Sequence, residues 1–250
     1  MLSPNTQWKI PKNPIHIKPK VIHIWVADIL SYSTLHLEQL KQCLSQDELE
    51  HASRYYFEKD KKYYITSRGI LRKILSNYLT MKPEKIKFSY NPYGKPYLCN
   101  KFHTKNFNFN LSHSGDLALY IFSANFDVGI DLEKFQLIEG FIDIAMQFFS
   151  PNEFLKLKSI PHDQQLTAFF KCWTRKEAFI KAIGNGLSHP LDQFEVTLAP
   201  NETAMFVNII SKSTAASEWS LYSFTPKPNY EASFAFKGKC EKIEFFQYEE

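Results

Sequence analysis

Asp131 and Glu133 lie two apart in the run Phe126-Asp127-Val128-Gly129-Ile130-Asp131-Leu132-Glu133, and Glu177 and Lys181 lie four apart in Trp173-Thr174-Arg175-Lys176-Glu177-Ala178-Phe179-Ile180-Lys181. On a strand, a spacing of two sends both carboxylates to one face. On a helix, a spacing of four stacks the pair one turn apart. Three carboxylates and an ammonium that converge would hold a hard cation and grip a phosphate. Magnesium suits such a place, because it prefers oxygen ligands and shares its shell with water and substrate phosphates.

Each motif also has a plainer reading. Most Asp-x-Glu pairs ending a strand are solvated loop edges, and a lone Glu–Lys pair at i,i+4 is a weak surface contact. Here Gly129 lets the backbone approach something closely, and Val128 and Ile130 mark a buried strand where unpaired charge is expensive. Phe169, Phe170, Trp173, Phe179 and Ile180 crowd the helix, leaving its polar pair little free surface.

Weaker signals surround these. Asn110-Leu111-Ser112-His113-Ser114-Gly115 reads as a polar turn between apolar strands, either a hairpin loop or a phosphate cradle with Ser112 and His113 as donors. Lys95 in Tyr93-Gly94-Lys95-Pro96, and Arg68, would add charge for a phosphate.

The elements that must position these groups follow from periodicity. Residues 21–26 read as a buried strand, 35–44 as an amphipathic helix, and Ser45-Gln46-Asp47-Glu48 as a capping box opening a second helix. Residues 60–79 carry a helical apolar stripe, and strands are expected near 86–88, 107–111 and 117–123. The order then restarts: a strand at 128–132, a helix at 141–149, a second capping box at Ser150-Pro151-Asn152-Glu153, and a long helix at 164–183 closed by Gly184-Asn185-Gly186. An offset of 105 carries Ser45, Glu48 and Asp28 onto Ser150, Glu153 and Glu133, as a duplicated unit would. Strands at 194–198, 205–210, 219–224, 231–236 and 242–247 are expected to complete the second sheet.

The expected fold is α+β, an α/β pseudo-dimer of two similar halves, each with a small, mostly antiparallel sheet packed on a long helix. The active site belongs in the cleft between them. Residues 1–20 are expected to form a flexible lead-in, 21–125 the first half, and 126–250 the second half with the metal and catalytic candidates.

Tyr93-Gly94-Lys95-Pro96, Asn110-Leu111-Ser112-His113-Ser114, Gly129-Ile130-Asp131-Leu132-Glu133, Trp173-x-x-Lys176-Glu177-Ala178-Phe179-x-Lys181 and Gly184-x-Gly186-Leu187, in that order, resemble the 4′-phosphopantetheinyl transferases. More narrowly they resemble the large, monomeric, surfactin-synthetase-activating type, whose fold is a pseudo-dimer. The resemblance spans residues 22 to 196. It implies transfer of the phosphopantetheine arm of coenzyme A to a serine of an apo acyl or peptidyl carrier protein, releasing adenosine 3′,5′-bisphosphate. By it, Asp131, Glu133 and Glu177 match the magnesium positions, Glu177 the general base, and Lys181 the lysine beside the pyrophosphate. Lys95, Pro96, Ser112 and His113 match coenzyme A contacts. Where the family often holds the 3′-phosphate with lysines early in the second helix, this chain has Glu48 and His51, so Arg54 and Arg68 are the candidates. Residues 134–146, with Phe135, Leu137, Ile138, Phe141 and Ile142, are expected to dock the carrier through apolar contacts.

Composition sets outer bounds. The 250 residues are 44% hydrophobic and 16% aromatic, ample for a core, and the net charge of +4 is too diffuse to argue for nucleic acid. Cys43, Cys99, Cys172 and Cys240 show no metal spacing and are expected to be reduced. The lead-in lacks the apolar core of a signal peptide, so a soluble, cytoplasmic protein without membrane contact is the expectation, and the resemblance implies a monomer. The competing readings are a metal-dependent phosphohydrolase of a nucleotide pyrophosphate and a non-catalytic coenzyme A or carrier-binding module. A carrier requirement separates transfer from hydrolysis, and joint retention of Asp131, Glu133, Glu177 and Lys181 argues against a decayed site.

Overall fold

The computed structural model describes residues 6–11, 15–30, 32, 34–99, 107–209 and 215–249. The first half runs β1 (Val21–Asp28), α1 (Thr34–Gln42), α2 (Gln46–Ser53), α3 (Glu58–Leu79), β2 (Phe88–Tyr90), β3 (Pro96–Leu98), β4 (Asn108–Ser114) and β5 (Leu117–Ser123). The second runs β6 (Val128–Lys134), α4 (Phe141–Phe148), α5 (Pro151–Ser159), α6 (His162–Ile183), β7 (Phe194–Val196), β8 (Phe206–Ile209), β9 (Trp219–Phe224), β10 (Tyr230–Lys237) and β11 (Lys242–Gln247).

Alternation along the strands builds three cores. Trp25, Ala27, Ala118, Tyr120 and Phe122 face α3, meeting Ile70, Leu71, Ile74 and Leu75. The opposite faces, Ile22, Ile24, Leu119 and Ile121, pack on Val128, Ile130, Leu132, Phe234 and Phe236 of the second sheet. Beyond that sheet lies α6, with Ala168, Phe169, Ala178 and Phe179 in the third core beside α4 and α5. The layers therefore run α3, sheet β11-β1-β5-β4, sheet β6-β10-β9, α6.

Both capping boxes form, and each glutamate is also the buried end of an ion pair. Glu48 meets Arg72 at 2.6 Å and Arg68 at 2.7 Å, and Glu153 meets Lys176 at 2.8 Å. The long helices are 22 residues each, and Arg72 and Lys176 occupy the same place in them, counted from Glu58 and His162.

Several expectations need correction. β11 does not complete the second sheet; it crosses back to lie parallel to β1, Ile22 opposite Ile243. Among the described residues, strands β7 and β8 pair only with each other. The lead-in is not wholly loose: Ile15 is buried, Trp8 packs edge-on to Phe245 with its indole N–H on the Pro226 carbonyl, and Lys9 bridges to Phe246. Residues 1–5 and 12–14 lie outside the described residues. Asp28 and Glu133 are not equivalent, because Asp28 follows Ile22, Ile24 and Val26 on the inter-sheet face whereas Glu133 follows Gly129 and Asp131 on the helix face. The stretch Asn110–Ser114 is not a turn but part of β4, with the turn reduced to Gly115 and Asp116. The four cysteines are free.

Candidate active site

The seam between the halves is a strand edge read by side chains. Asn110, Ser112 and Ser114 all project from one face of β4 toward β6. The Asn110 carboxamide oxygen accepts from Ile130 N–H at 3.0 Å, Ser112 Oγ from Leu132 N–H at 3.3 Å, and Ser114 Oγ from Lys134 N–H at 3.1 Å. The partners step in the same direction, so β4 and β6 lie parallel. The outer amides of β6 are thus satisfied by side chains where backbone pairing is missing.

α6 lies directly on the other face of β6. A Cβ at Gly129 would sit 2.2 Å from the Ala178 carbonyl oxygen and 2.3 Å from the Ala182 nitrogen. Only glycine permits that approach, and it brings α6 down over Asp131 and Glu133. The Lys181 ammonium donates to Asp131 Oδ1 at 2.6 Å and to Ser112 Oγ at 3.0 Å. Ser112 Oγ itself donates to Asp131 Oδ1 at 3.0 Å, and Ser114 Oγ to Glu133 Oε2 at 3.0 Å.

One ammonium faces three carboxylates, and the imbalance shows in their acidity. Burial first, then the charge of Asp131, pushes both Glu133 and Glu177 up to about 7, against the pull of Lys181. Burial alone would lower the Lys181 pKa, but Asp131, Glu177 and Glu133 raise it overall. Asp131 Oδ2 is buried without a hydrogen-bond partner. Among the described residues no three acidic, imidazole or thiol groups close into a metal cage. The donor set nevertheless fits a divalent cation: all oxygen, carrying excess negative charge, with one buried carboxylate oxygen unpartnered.

The remaining expected residues divide. His113 projects from β4 opposite to Ser112, on the α3 side, and its pKa is lowered by burial and by nearby Lys181. Its side chain is exposed and so remains open to a ligand. Arg68 does not: its guanidinium is committed to Glu48 and to the Tyr90 hydroxyl at 3.0 Å. Arg54 caps the end of α2 and is exposed. Lys95 is also occupied, donating to the carbonyls of Val128 at 3.1 Å and Ala182 at 3.0 Å, and burial brings its pKa down to about 8. With Asn91 donating to the Gly184 carbonyl at 2.6 Å, it ties the β2–β3 turn to the end of α6. Pro96 opens β3 beside it. Asn110 and Ser114 were the members missed. Their signal was present in the alternation of Asn108, Asn110, Ser112 and Ser114 with Phe109, Leu111 and His113.

Two family models match the chain in succession. One, described as 4′-phosphopantetheinyl transferase, N-terminal, matches residues 32–124, and one for the 4′-phosphopantetheinyl transferase superfamily matches residues 127–235. The 4′-phosphopantetheinyl transferase HetI of Nostoc sp. is 36% identical over 240 residues, covering 96% of this chain and 98% of that protein. The chain belongs to the 4′-phosphopantetheinyl transferase superfamily. The 4′-phosphopantetheinyl transferase Sfp of Bacillus subtilis is 34% identical over 161 residues, 64% of this chain and 69% of its own. In this 4′-phosphopantetheinyl transferase the carboxylate cluster comes from the second half and its serine supports from the first. Beyond it, Phe135, Ile138, Phe141 and Ile142 are half-buried against the third core. The exposed apolar side chains there are Leu137, Met146 and Leu155. No described helix is long and apolar enough to cross a membrane.

Proposed function

We propose that this transferase moves the phosphopantetheine arm of coenzyme A onto a serine of an apo acyl or peptidyl carrier protein, with Glu177 as general base and Lys181 as the phosphate-facing cation. The observation that carries this reading is the convergence of Asp131, Glu133, Glu177 and Lys181 at the seam, with the Asp131 Oδ2 atom buried and unpartnered. A carboxyl whose pKa lies about 7 is matched to accepting a proton from a serine hydroxyl near neutrality. The Lys181 ammonium offsets charge on the departing bisphosphate. A magnesium ion held by Asp131, Glu133 and Glu177 would neutralise the pyrophosphate.

His113, exposed on β4 between Ser112 and Ser114, is the first-half side chain placed to meet coenzyme A. The commitments of Arg68 and Lys95 to protein partners weigh against direct phosphate roles for them. The exposed Leu137, Met146 and Leu155 offer an apolar face to the carrier. Both contributions to the site come from one chain, which supports a monomer, and the reading places it in the cytoplasm without nucleic acid or membrane partners. Intact-protein mass spectrometry of several apo carriers, incubated with the enzyme, coenzyme A and magnesium, tests it. One arm on one serine is expected; cleavage of coenzyme A with every carrier unmodified would mean a phosphohydrolase instead.

A further inference from the structure

A cavity of about 560 Å³ lies along β9, at the edge of the second sheet opposite β6, between that strand and residues 200–204. Its floor is charged: Arg175 and Lys171 of α6 and Glu231 of β10 line it, and Arg175 and Glu231 are buried. Lys171 meets Glu231 at 3.1 Å, so one carboxylate answers two cations. Glu202, at the rim, is held by Lys156 at 3.6 Å and by the amides of Leu198 and Ala199. The floor therefore keeps one positive charge in excess.

A lysine ammonium carries three N–H donors and a guanidinium five. Lys171 spends one, on Glu231 Oε1. Arg175 gives Nε to Ser223 Oγ at 3.0 Å and Nη1 to Thr197, which leaves Nη2 a single long bond of 3.4 Å to the Glu202 carbonyl. Among the described residues, both cations thus keep unspent donors beside one cavity. The wall is a strand edge. Gly238 donates to the Glu218 carbonyl, and the alternation of an antiparallel ladder then gives the backbone groups of Ser220, Tyr222 and Phe224 to β10. Those of Leu221 and Ser223 point the other way, off the end strand of the sheet on the cavity side. Pro200 and Ala204 add apolar surface across from them.

We propose that this cavity binds the C-terminal end of an extended peptide: the free carboxylate on Lys171 and Arg175, the preceding amides on the outward N–H and C=O groups of β9, and an apolar side chain against Pro200 and Ala204. An open strand edge takes an extended amide chain by adding it as a further strand. One excess positive charge suits a single carboxylate, and Glu231 beside it opposes a phosphate dianion. The volume lies in the range of pockets that enclose small ligands. The site lies across the sheet from the carboxylates of β6, and none of its residues is used in the transfer reading.

The test titrates the full-length, ¹⁵N-labelled protein with N-acetyl-leucyl-leucine and with its C-terminal amide, reading site and affinity from backbone amide shifts. The acid should move the amides of Leu221 and Ser223 more than those of Tyr222 and Phe224. The amide derivative should bind about tenfold or more weakly, the loss of a charge-assisted hydrogen bond. Lys171→Met should weaken the acid by a similar factor, whereas Lys171→Arg, which keeps the cation, should hold it within about threefold. If Lys171→Met does not fold, the comparison of acid with amide on the parent carries the test. Inorganic phosphate should leave the β9 amides in place. The proposal is overturned if acid and amide bind alike, if the shifts gather at Asp131 and Lys181 instead of β9, if phosphate displaces the acid, or if the acid moves nothing at millimolar concentration.

Discussion

In the first half, His23 and Tyr78 stand where the second half has Gly129 and Ala182, when β1 and β6 are matched by their inter-sheet faces and α3 and α6 by their first residues. The His23 ring nitrogen Nδ1 meets the Tyr78 hydroxyl at 2.7 Å, Trp25 Nε1 donates to the same hydroxyl at 2.9 Å, and Glu244 of β11 lies 3.3 Å from His23 Nε2. Bulky rings fill the gap between strand and helix there. In the second half the gap is closed, since no Cβ fits at Gly129. By the same register Trp25 and Ala27 take the places of Asp131 and Glu133. One duplicated plan thus gives a half stabilised by aromatic packing and a half in which close approach crowds charge into a site.

The largest effect is expected where that approach is undone. Gly129→Ala would drive a methyl into the backbone of α6 at Ala178 and Ala182, which cannot yield as a flexible side chain could. Both folding and transfer should fail, seen as loss of the cooperative melt and of carrier modification. A Gly129→Ala protein that melts and transfers like the parent would mean the two halves do not differ in this way.

Chemistry should be confined to the second half. Asp131→Ala is expected to slow single-turnover transfer by ~10²–10³, the usual loss for one electrostatic group at a reacting phosphoryl or acyl centre, with the melt largely preserved. Tyr78→Phe, the comparison substitution in the packed half, leaves His23 and Trp25 without their shared hydroxyl. It should cost about 1–3 kcal/mol of stability and leave transfer near parental. Equal slowing of transfer by both variants would break the assignment.

The buried ion pairs differ in how far one substitution strands the carboxylate. Lys176→Met strands Glu153, at a cost of ~3–5 kcal/mol for an uncompensated buried charge, whereas Arg72→Met leaves Glu48 paired with Arg68 and should cost less. Adding Glu153→Gln should recover much of the Lys176→Met loss in denaturant melts. Equal losses from Arg72→Met and Lys176→Met would show that the second arginine does not hold Glu48.

What the sequence made legible was local. Period and caps located the long helices and both capping boxes, and the spacing of Asp131, Glu133, Glu177 and Lys181 predicted their shared faces. What stayed hidden depends on distant partners. Asn110–Ser114 looks like a turn because its residues are turn formers, and only the unpaired edge of β6 makes them useful in a strand. Arg68 and Lys95 read as free cations until Glu48 and two backbone carbonyls are seen to hold them. Nothing in the periodicity of β11 says that it returns to β1. The 105-residue offset kept the caps in register but inverted the strand faces, since a shift of one residue exchanges the two sides of a sheet.

The smallest effect, and the one that compares the halves within one protein, is the pH dependence of stability without metal. In the second half the folded state holds protons on Glu133 and Glu177 up to about 7, more tightly than the unfolded chain with its ordinary value of 4.5. Their contribution is therefore full below the unfolded value and is lost as pH rises through about 7. In the first half burial lowers His23 from 6.5 to about 4, against the pull of Glu244, so its protonation opposes folding as pH falls through that interval. The two trends oppose each other in mild acid, and above the unfolded histidine value only the glutamates act. In EDTA, Tm should fall from pH 6.5 to pH 8 by several degrees. Glu133→Gln should remove part of that fall and leave the metal-free protein more stable than the parent at pH 8, although slower in transfer. Saturating magnesium should flatten the same limb, and His23→Gln should alter only the acid one. A parent as stable in EDTA at pH 8 as at pH 6.5 would mean that the carboxylates of the second half are not crowded, and the contrast between the halves would lose its electrostatic side.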